Sequence, residues 1–115
     1  MTKGFDLEER TAKFGIEVIR LCKLVKLTEI SRPLINQLIR SATSVGANYM
    51  EANGADSKND FRNKISICKK EAKETMHWLR MMSEAAPESV EQFRMQWREA
   101  HELSLIFGAI NKKQT

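Results

Sequence analysis

Apolar residues recur every three or four positions along most of the chain, which is the spacing of one face of an α-helix. The first such stretch is predicted to begin with Asp6 as its N-cap, and Glu9 is placed to complete a capping box. The helix is predicted to end near Lys26. Its buried face is made of Phe14, Val18, Leu21 and Val25.

A second stretch predicts a helix from about Arg32 to Asn53, with Ser31 as its N-cap and Pro33 in its first turn. Gly54 follows directly. Because glycine readily takes the left-handed backbone conformation, it is predicted to end this helix in that conformation. The apolar face is made of Leu34, Ile35, Leu38, Ile39, Ala42, Val45, Tyr49 and Ala52.

The second half of the chain predicts two more helices, separated by a proline. The third runs from Ser57, its N-cap, to about Ala85, with Asp60 completing another capping box. Pro87 interrupts the pattern, and the fourth helix continues to about Lys112. The core face of the third helix is Phe61, Ile65, Cys68, Ala72, Thr75 and Leu79. That of the fourth is Val90, Phe93, Trp97, Ala100, Leu103, Phe107 and Ile110.

The composition agrees with a small helical domain. At 115 residues the chain is expected to form one domain spanning residues 1–115, and 42% hydrophobic residues can supply its core. Only 2 prolines and 5 glycines leave little material for a loop-rich β architecture. Four helices joined by short loops predict an all-α fold, an antiparallel up-down-up-down four-helix bundle.

The chain shows no sign of export. The opening residues, MTKGFDLEER, lack the apolar core of a signal peptide, and no later run is long enough to span a membrane. A cytoplasmic protein without a membrane partner is therefore expected. Cys22 and Cys68 lie 46 positions apart within helical patterns, without a close metal-binding spacing. Both are expected to be buried as small hydrophobic residues.

Residues 41–54, SATSVGANYMEANG, are mostly small or polar although they continue the second helix. One interpretation is that neighbouring helices approach closely here, since a mid-helix glycine otherwise costs about 1 kcal/mol relative to alanine. The small residues concerned are Ser41, Ala42, Ser44 and Gly46. The alternative is a binding patch made of Asn48, Tyr49 and Glu51. Close packing is the favoured interpretation.

The chain is mildly basic, with a net charge of +4 and a pI near 9.2, which permits a polyanionic partner without requiring one. Five basic residues of the third helix fall within about 60° of one another on a helical wheel. They are Lys58, Arg62, Lys69, Lys73 and Arg80, called the basic stripe below. The stripe is either a solvated flank whose long stems cover apolar neighbours or a track for nucleic-acid phosphates. No aromatic residue interrupts it, so base stacking is not predicted.

A different side of the third helix carries Ile67, Trp78 and Met81, called the helix 3 apolar patch below. Large apolar groups away from the core stripe usually mark an interface, and tryptophan is a favoured anchor there. The patch therefore predicts a surface for self-association. The alternative is that Trp78 packs at the edge of the bundle.

A polar brace between the second and third helices is also predicted. If these helices form a hairpin around Gly54, Arg40 lies at the level of Lys69 to Glu71. We therefore expect Arg40 to pair with Glu71 or Glu74. If the pair is buried, losing one partner would cost about 3–5 kcal/mol, against about 0–1 kcal/mol at the surface.

Enzyme motifs are weak. Glu74 and His77 have the Glu-x-x-His spacing of di-iron bundles, but such a site needs two of these motifs and two more carboxylates. His101 has no glutamate three residues before it. The chain has no glycine-rich phosphate loop and no recognisable catalytic triad. We expect no metal, no cofactor and no enzymatic activity, so that a metalloenzyme ranks third among the possible functions.

The run QLIRSATSVGANYMEANGADSKNDFRNKISICKKEAKETMHWLRMM, residues 37–82, resembles the four-helix-bundle family first named for proteins encoded in 23S ribosomal RNA intervening sequences. The matching positions of the second helix are Gln37, Leu38, Arg40, Ser41, Ala42, Gly46, Ala47, Asn48, Tyr49 and Glu51. Those of the third are Ser57, Lys58, Asp60, Phe61, Lys64, Glu71, Ala72, Glu74, Trp78 and Leu79, and those of the fourth are Glu102, Leu103 and Ile106.

This resemblance implies a bundle that assembles into a ring-like homopentamer and has no established enzymatic activity. It also implies a relation to the accessory proteins of diversity-generating retroelements, in which a basic pentamer binds reverse transcriptase and nucleic acid. Residues 69–74 read KKEAKE where family members are often acidic. We therefore predict a homo-oligomeric interaction module, and the alternative is a basic accessory protein that binds RNA or DNA, for example as a partner of reverse transcriptase.

Overall fold

A computed structural model of the protein describes residues 6–113, and within them it contains four α-helices and no strand. The helices are α1, Leu7–Lys23; α2, Ser31–Asn53; α3, Lys58–Ala85; and α4, Val90–Lys113. A single 3-10 turn, Pro87–Ser89, connects α3 to α4. Residues 1–5 lie outside the described residues. They are part of the segment from which no signal peptide was predicted.

Two of the predicted N-caps are confirmed. The carboxylate of Asp6 accepts a hydrogen bond from the backbone N–H of Glu9 at 3.1 Å. The hydroxyl of Ser57 accepts one from the backbone N–H of Asp60 at 3.0 Å. In both helices the side chain satisfies a donor that has no partner within the helix, and this fixes where α1 and α3 begin.

The boundaries of the α1–α2 connection differ from the prediction. Helix α1 ends at Lys23 and not near Lys26, although Val25 is still buried. A residue can be buried without lying in a helix, so the buried Val25 made the helix look longer in the sequence than it is. Ser31 is the first residue of α2 and not its N-cap. The backbone N–H of Ser31 donates instead to the hydroxyl of Thr28 at 3.0 Å.

Gly54 ends α2, as predicted, but without the left-handed conformation. Its φ of −98° and ψ of 12° are open to any residue. Its N–H donates to the carbonyl oxygen of Glu51 at 3.1 Å, and the N–H of Ala55 donates to Ala52 at the same distance. These two hydrogen bonds each join residues three positions apart, as in a 3-10 turn, and they satisfy carbonyl groups at the end of the helix. A residue in the left-handed conformation is therefore not needed.

The predicted antiparallel four-helix bundle is confirmed. Consecutive helices pack side by side. Hydrogen bonds join the end of one helix to the start of its neighbour, for example Asn53 of α2 to Glu8 of α1 and Asn111 of α4 to Arg62 of α3. Between α2 and α3, for example, Glu51 pairs with Lys64 and Arg40 pairs with Glu71. Helix α1 closes the bundle against α4 through Arg10, whose guanidinium donates to both carboxylate oxygens of Glu99 at 2.7 and 2.9 Å. Arg10 also contacts Glu102.

The predicted apolar faces meet in one core. Phe14, Phe93 and Phe107 are among its largest fully buried side chains. Of the predicted core positions, Val90 is only partly buried, and the following are partly buried and pack against the core: Leu34, Ile39, Tyr49, Phe61, Trp97 and Ile110. Burying such apolar surface is the main contribution that holds the four helices together.

Both cysteines lie inside this core as free thiols, which confirms the expectation for them. Loss of contact with water raises the pKa of Cys22 to about 11 and that of Cys68 to about 12. The thiol of Cys68 donates a weak hydrogen bond to the carbonyl oxygen of Val45 at 3.6 Å. At neutral pH both side chains are therefore thiols and not nucleophilic thiolates.

The small residues of α2 allow close packing on both of its sides. Ser41 and Ala42 are fully buried, and the hydroxyl of Thr75 from α3 donates to that of Ser41 at 2.9 Å. On the other side Gly46 faces Thr11 of α1, and a Cβ atom at Gly46 would lie 3.4 Å from backbone atoms of Thr11. Close helix approach thus explains the small residues at Ser41, Ala42 and Gly46 of this helix.

Replacing Gly46 by valine is expected to destabilise the protein by about 1–3 kcal/mol, because the larger side chain would press on the α1 backbone. Chemical denaturation measures this change. Gly15→Ala is the control, since its Cβ would lie in ordinary contact, 3.6 Å from Thr43. The control is expected to be neutral or stabilising by up to about 1 kcal/mol. Equal stability of Gly46→Val and wild type would contradict close packing here.

None of the helices in residues 6–113 combines the length and the apolar character that crossing a bilayer requires.

Candidate functional site

All five residues of the basic stripe are exposed on α3. Among residues 6–113 none of the five takes part in a salt bridge. Lys69, Lys73 and Arg80 lie along the groove between α3 and α4. Lys58 and Arg62 lie nearer the start of α3 and line neither of the pockets of that groove. The structure therefore brings three of the five predicted residues into one groove.

The middle of this groove is an open pocket of about 480 Å³ next to Lys69 and Lys73. The ammonium group of Lys69 lies over Gly108 of α4, where a Cβ atom would be 3.4 Å away. His101 and Leu105 of α4 form the opposite wall. Two ammonium groups beside a groove are suited to bind phosphate groups that run along it.

Helix α4 extends the positive charge of the groove. A second open pocket, of about 520 Å³, is lined by Arg80 from α3 and by Arg94 and Arg98 from α4. Trp97 lies among these three arginines. The sequence prediction considered the basic residues of the third helix alone and so missed the arginines and the tryptophan of the fourth. The usable signal was the antiparallel register, which places residue 97 opposite residue 80.

The helix 3 apolar patch lies at the edge between α2 and α3. Its three residues are all partly buried, and Trp78 packs against the core. The indole N–H of Trp78 donates to the carboxylate of Glu74 at 3.0 Å, and His77 contacts the indole edge-on at 4.8 Å between ring centroids. The patch thus offers only part of its apolar surface to a partner.

A second apolar surface lies in a groove between α1 and α2, on the side of α2 away from the helix 3 apolar patch. Ile16 is 47% exposed and Met50 is 58% exposed, and Ile19 lines the same groove. Its floor contains Ala12, Gly15, Gly46 and Ala47, which leave room for another molecule to approach closely. The sequence prediction did not identify this groove. Ile16 and Ile19 fall outside the α1 core stripe, and that was the available signal.

The three residues of the polar brace come together at the surface between α2 and α3. Arg40 donates to Glu71 at 3.2 Å and also contacts Glu74. The hydrogen bond from Trp78, followed by those from Arg40, holds the pKa of Glu74 below its usual range. The stabilisation from Glu74 is therefore present above the usual pKa of a glutamate and is lost as the pH falls through the lowered value.

Replacing Arg40 by alanine is expected to lower the free energy of unfolding by about 1 kcal/mol, the upper end for a surface pair. The Arg40 side chain is 44% exposed. In the variant, water can therefore hydrate the carboxylates of Glu71 and Glu74 in place of the guanidinium. Chemical denaturation measures the effect. Arg94→Ala removes an exposed pair with Glu91 as a control and is expected to change stability by less. A loss of about 3–5 kcal/mol for Arg40→Ala would instead indicate a buried network.

The alternative binding patch on α2 is occupied by contacts within the protein. The side-chain amide of Asn48 donates to the carbonyl oxygen of Ser44 at 2.9 Å. The ring of Tyr49 lies 6.1 Å from that of Phe107, and Glu51 pairs with Lys64 at 2.7 Å. These three side chains therefore contribute to the bundle itself.

The histidine and carboxylate side chains of the candidate metal motif do not converge. His77 is exposed, while Glu74 faces Arg40 and Trp78. Within the part of the chain that the structure describes, no three His, Cys, Asp or Glu side chains lie close enough together to hold a metal ion.

The chain is similar to proteins of one family. The family model described as 23S rRNA-intervening sequence protein matches residues 4–109. Among solved structures, the chain is similar to a protein with unknown function from the S23 ribosomal protein family of Bacteroides thetaiotaomicron VPI-5482. The two are 29% identical with a TM-score of 0.79, and the match covers 91% of this chain and 97% of that chain. No curated protein matches the chain.

Proposed function

Because the chain belongs to the 23S rRNA-intervening sequence protein family, we propose that it is a non-enzymatic interaction module that acts in the cytoplasm as a homo-oligomer. The observation that carries this proposal is the groove between α1 and α2. Its apolar side chains Ile16, Ile19 and Met50 are partly or largely exposed above a floor of small residues. An apolar groove of this kind is typical of a protein–protein interface.

A second copy of the chain is the proposed occupant of this groove. The helix 3 apolar patch, Ile67, Trp78 and Met81, lies on the other side of α2 and offers a different apolar surface. A contact between two different surfaces of identical chains continues from copy to copy and closes into a ring when the rotation allows it. Five subunits is the number that the family resemblance implies.

The mass of the purified protein in solution tests this proposal. Sedimentation equilibrium or light scattering at micromolar concentration is expected to give several times the 13.2 kDa of one chain, most nearly five times. A protein that stays monomeric under these conditions would refute self-association.

The second candidate function is binding of RNA or DNA, and the α3–α4 groove favours it. Lys69, Lys73 and Arg80 line this groove without a salt bridge among the described residues, and Arg94 and Arg98 extend it. Phosphate contacts of this kind supply most of the affinity of non-specific nucleic-acid binding. Titration of a labelled RNA and a labelled DNA strand at low salt tests this function.

Reverse transcriptase is the protein partner that the family resemblance implies for such a module. A small basic oligomer would hold the nucleic acid beside the enzyme and add no chemistry of its own. The genes next to this one distinguish the possibilities. A neighbouring gene for a reverse transcriptase supports the accessory role, whereas an insertion within a 23S rRNA gene supports a role connected with ribosomal RNA.

A further inference from the structure

One end of the α3–α4 groove combines positive charge with an aromatic surface. The open pocket there has a volume of about 520 Å³, within the range of small-molecule sites. Its lining contains three arginines and no acidic residue. The lining residues are Leu79, Arg80, Ser83, Val90, Phe93, Arg94, Trp97 and Arg98. An anionic ligand is therefore attracted by arginines of both helices, Arg80 of α3 and Arg94 and Arg98 of α4, and meets no opposing carboxylate in the lining.

The guanidinium groups of this pocket are available to a ligand. Neither Arg80 nor Arg98 forms a salt bridge with any residue in the range 6–113. Within the described part of the chain the one salt bridge of Arg94 is with the exposed Glu91 at 3.3 Å, which is longer than a strong charge-assisted hydrogen bond of about 2.7–2.9 Å. Planar guanidinium groups match the oxygens of a phosphate group in geometry as well as in charge.

Trp97 is held in place beside these arginines. One part of the indole packs against the core, and the remainder lines the pocket. The ring of His101 lies 5.2 Å from it at an interplanar angle of 32°. A half-buried aromatic ring that packs against the core on one part and lines a pocket with the rest is suited to stack on a nucleobase, since every base has a flat aromatic face.

We propose that this pocket binds one unpaired nucleotide of a single-stranded nucleic acid, with its phosphate held by Arg80, Arg94 and Arg98 and its base stacked on Trp97. The inference rests on the second candidate function, binding of phosphates in the α3–α4 groove. It adds that the groove prefers single strands, because a paired base inside a duplex cannot reach the indole.

The rest of the groove favours a nucleic acid over an acidic peptide. Lys69 and Lys73 continue the line of positive charge from Arg80, and from Arg80 to Lys69 it extends for about 16 Å along α3, from the helical rise per residue. A strand with one phosphate per nucleotide can follow such a line. An acidic peptide could pair its carboxylates with the basic side chains, but its acidic side chains have no aromatic ring to stack on Trp97.

The test compares two labelled strands with the same number of phosphates, a twelve-nucleotide oligothymidylate and a strand of twelve abasic sites. Fluorescence anisotropy measures binding to the full-length protein. The oligothymidylate is expected to bind about ten-fold tighter or more, in line with the contribution of one stacked base. Trp97→Leu is expected to remove this difference and to leave binding of the abasic strand unchanged.

A second measurement does not depend on the folding of that variant. In a Trp78→Phe protein, Trp97 is the one remaining tryptophan of the chain. Oligothymidylate is expected to quench its fluorescence, and the abasic strand is not. Circular dichroism checks that both variants keep the helical content of wild type.

Each contrary result has a distinct meaning. Equal affinity for both strands would overturn the nucleotide pocket and leave the phosphate groove standing. Absence of binding to either strand at low salt would overturn both. Tighter binding of a polyglutamate peptide than of the oligothymidylate would overturn the pocket in favour of an acidic protein segment.

Discussion

An Ile16→Asp variant is expected to sediment as a single chain of 13.2 kDa, whereas the wild-type protein is expected to sediment as an assembly of several chains. Ile16 is 47% exposed in the groove between α1 and α2, where a second copy would cover it. Full burial of such a side chain contributes roughly 1.5–3 kcal/mol, and a carboxylate in its place would have to lose its water. The same loss repeats at every contact of a ring, so one substitution separates the subunits.

Met95→Asp is the matched control for this experiment. Met95 is also an exposed apolar residue, but it belongs to α4, lines a groove between α4 and α1, and lines neither the α1–α2 groove nor the helix 3 apolar patch. The control is expected to keep the wild-type mass, and both variants are expected to keep the helical circular dichroism spectrum. An unchanged mass for Ile16→Asp would show that the subunits meet elsewhere. Trp78→Asp is a less direct test, because Trp78 is partly buried and bonded to Glu74.

Replacing Lys69 and Lys73 together by glutamate is expected to weaken binding of single-stranded RNA at least ten-fold at low salt. Both side chains line the middle of the α3–α4 groove, and reversal of their charge places two carboxylates where phosphates would lie. The affinity of the wild-type protein should fall with salt at a log–log slope of about −0.7 per phosphate contact. The variant should therefore lose about 1.4 from the magnitude of that slope. Fluorescence anisotropy over a salt series measures both quantities.

Lys23→Glu with Lys26→Glu is the control for charge alone. Lys23 is the last residue of α1 and Lys26 follows it, both are exposed, and neither lines the pockets of the α3–α4 groove. The change in net charge is the same. Equal loss of affinity in the two double variants would show that binding follows net charge and not the groove. Absence of measurable binding of wild type to RNA and DNA at low salt would eliminate this function.

Short-range sequence signals were reliable where a helix depends on its own residues. Asp6 and Ser57 cap their helices as predicted, because a capping hydrogen bond spans only three residues. The prediction failed at the two ends of α2, where more than one backbone conformation can begin or end a helix. Ser31 lies within α2 and its own N–H donates to the hydroxyl of Thr28, so that Ser31 is not an N-cap. Gly54 ends α2 without a left-handed conformation.

The sequence by itself determined the four helices, the apolar face of each, and hence the bundle. The period of the apolar residues is a local property, and four apolar faces joined by short loops can be buried together in few ways. The sequence also contained the basic stripe and the small residues of α2, because each set belongs to one helix.

Only the tertiary structure decided which surfaces adjoin. Trp97 and Arg80 are 17 positions apart in the sequence and share a pocket because α3 and α4 run antiparallel. In the same way, Ile16 and Met50 form one apolar groove only where α1 crosses the small residues of α2. A groove between two helices depends on how far each is turned about its own axis. That rotation is set by how the side chains of the whole core pack together, which no single stretch of the sequence specifies.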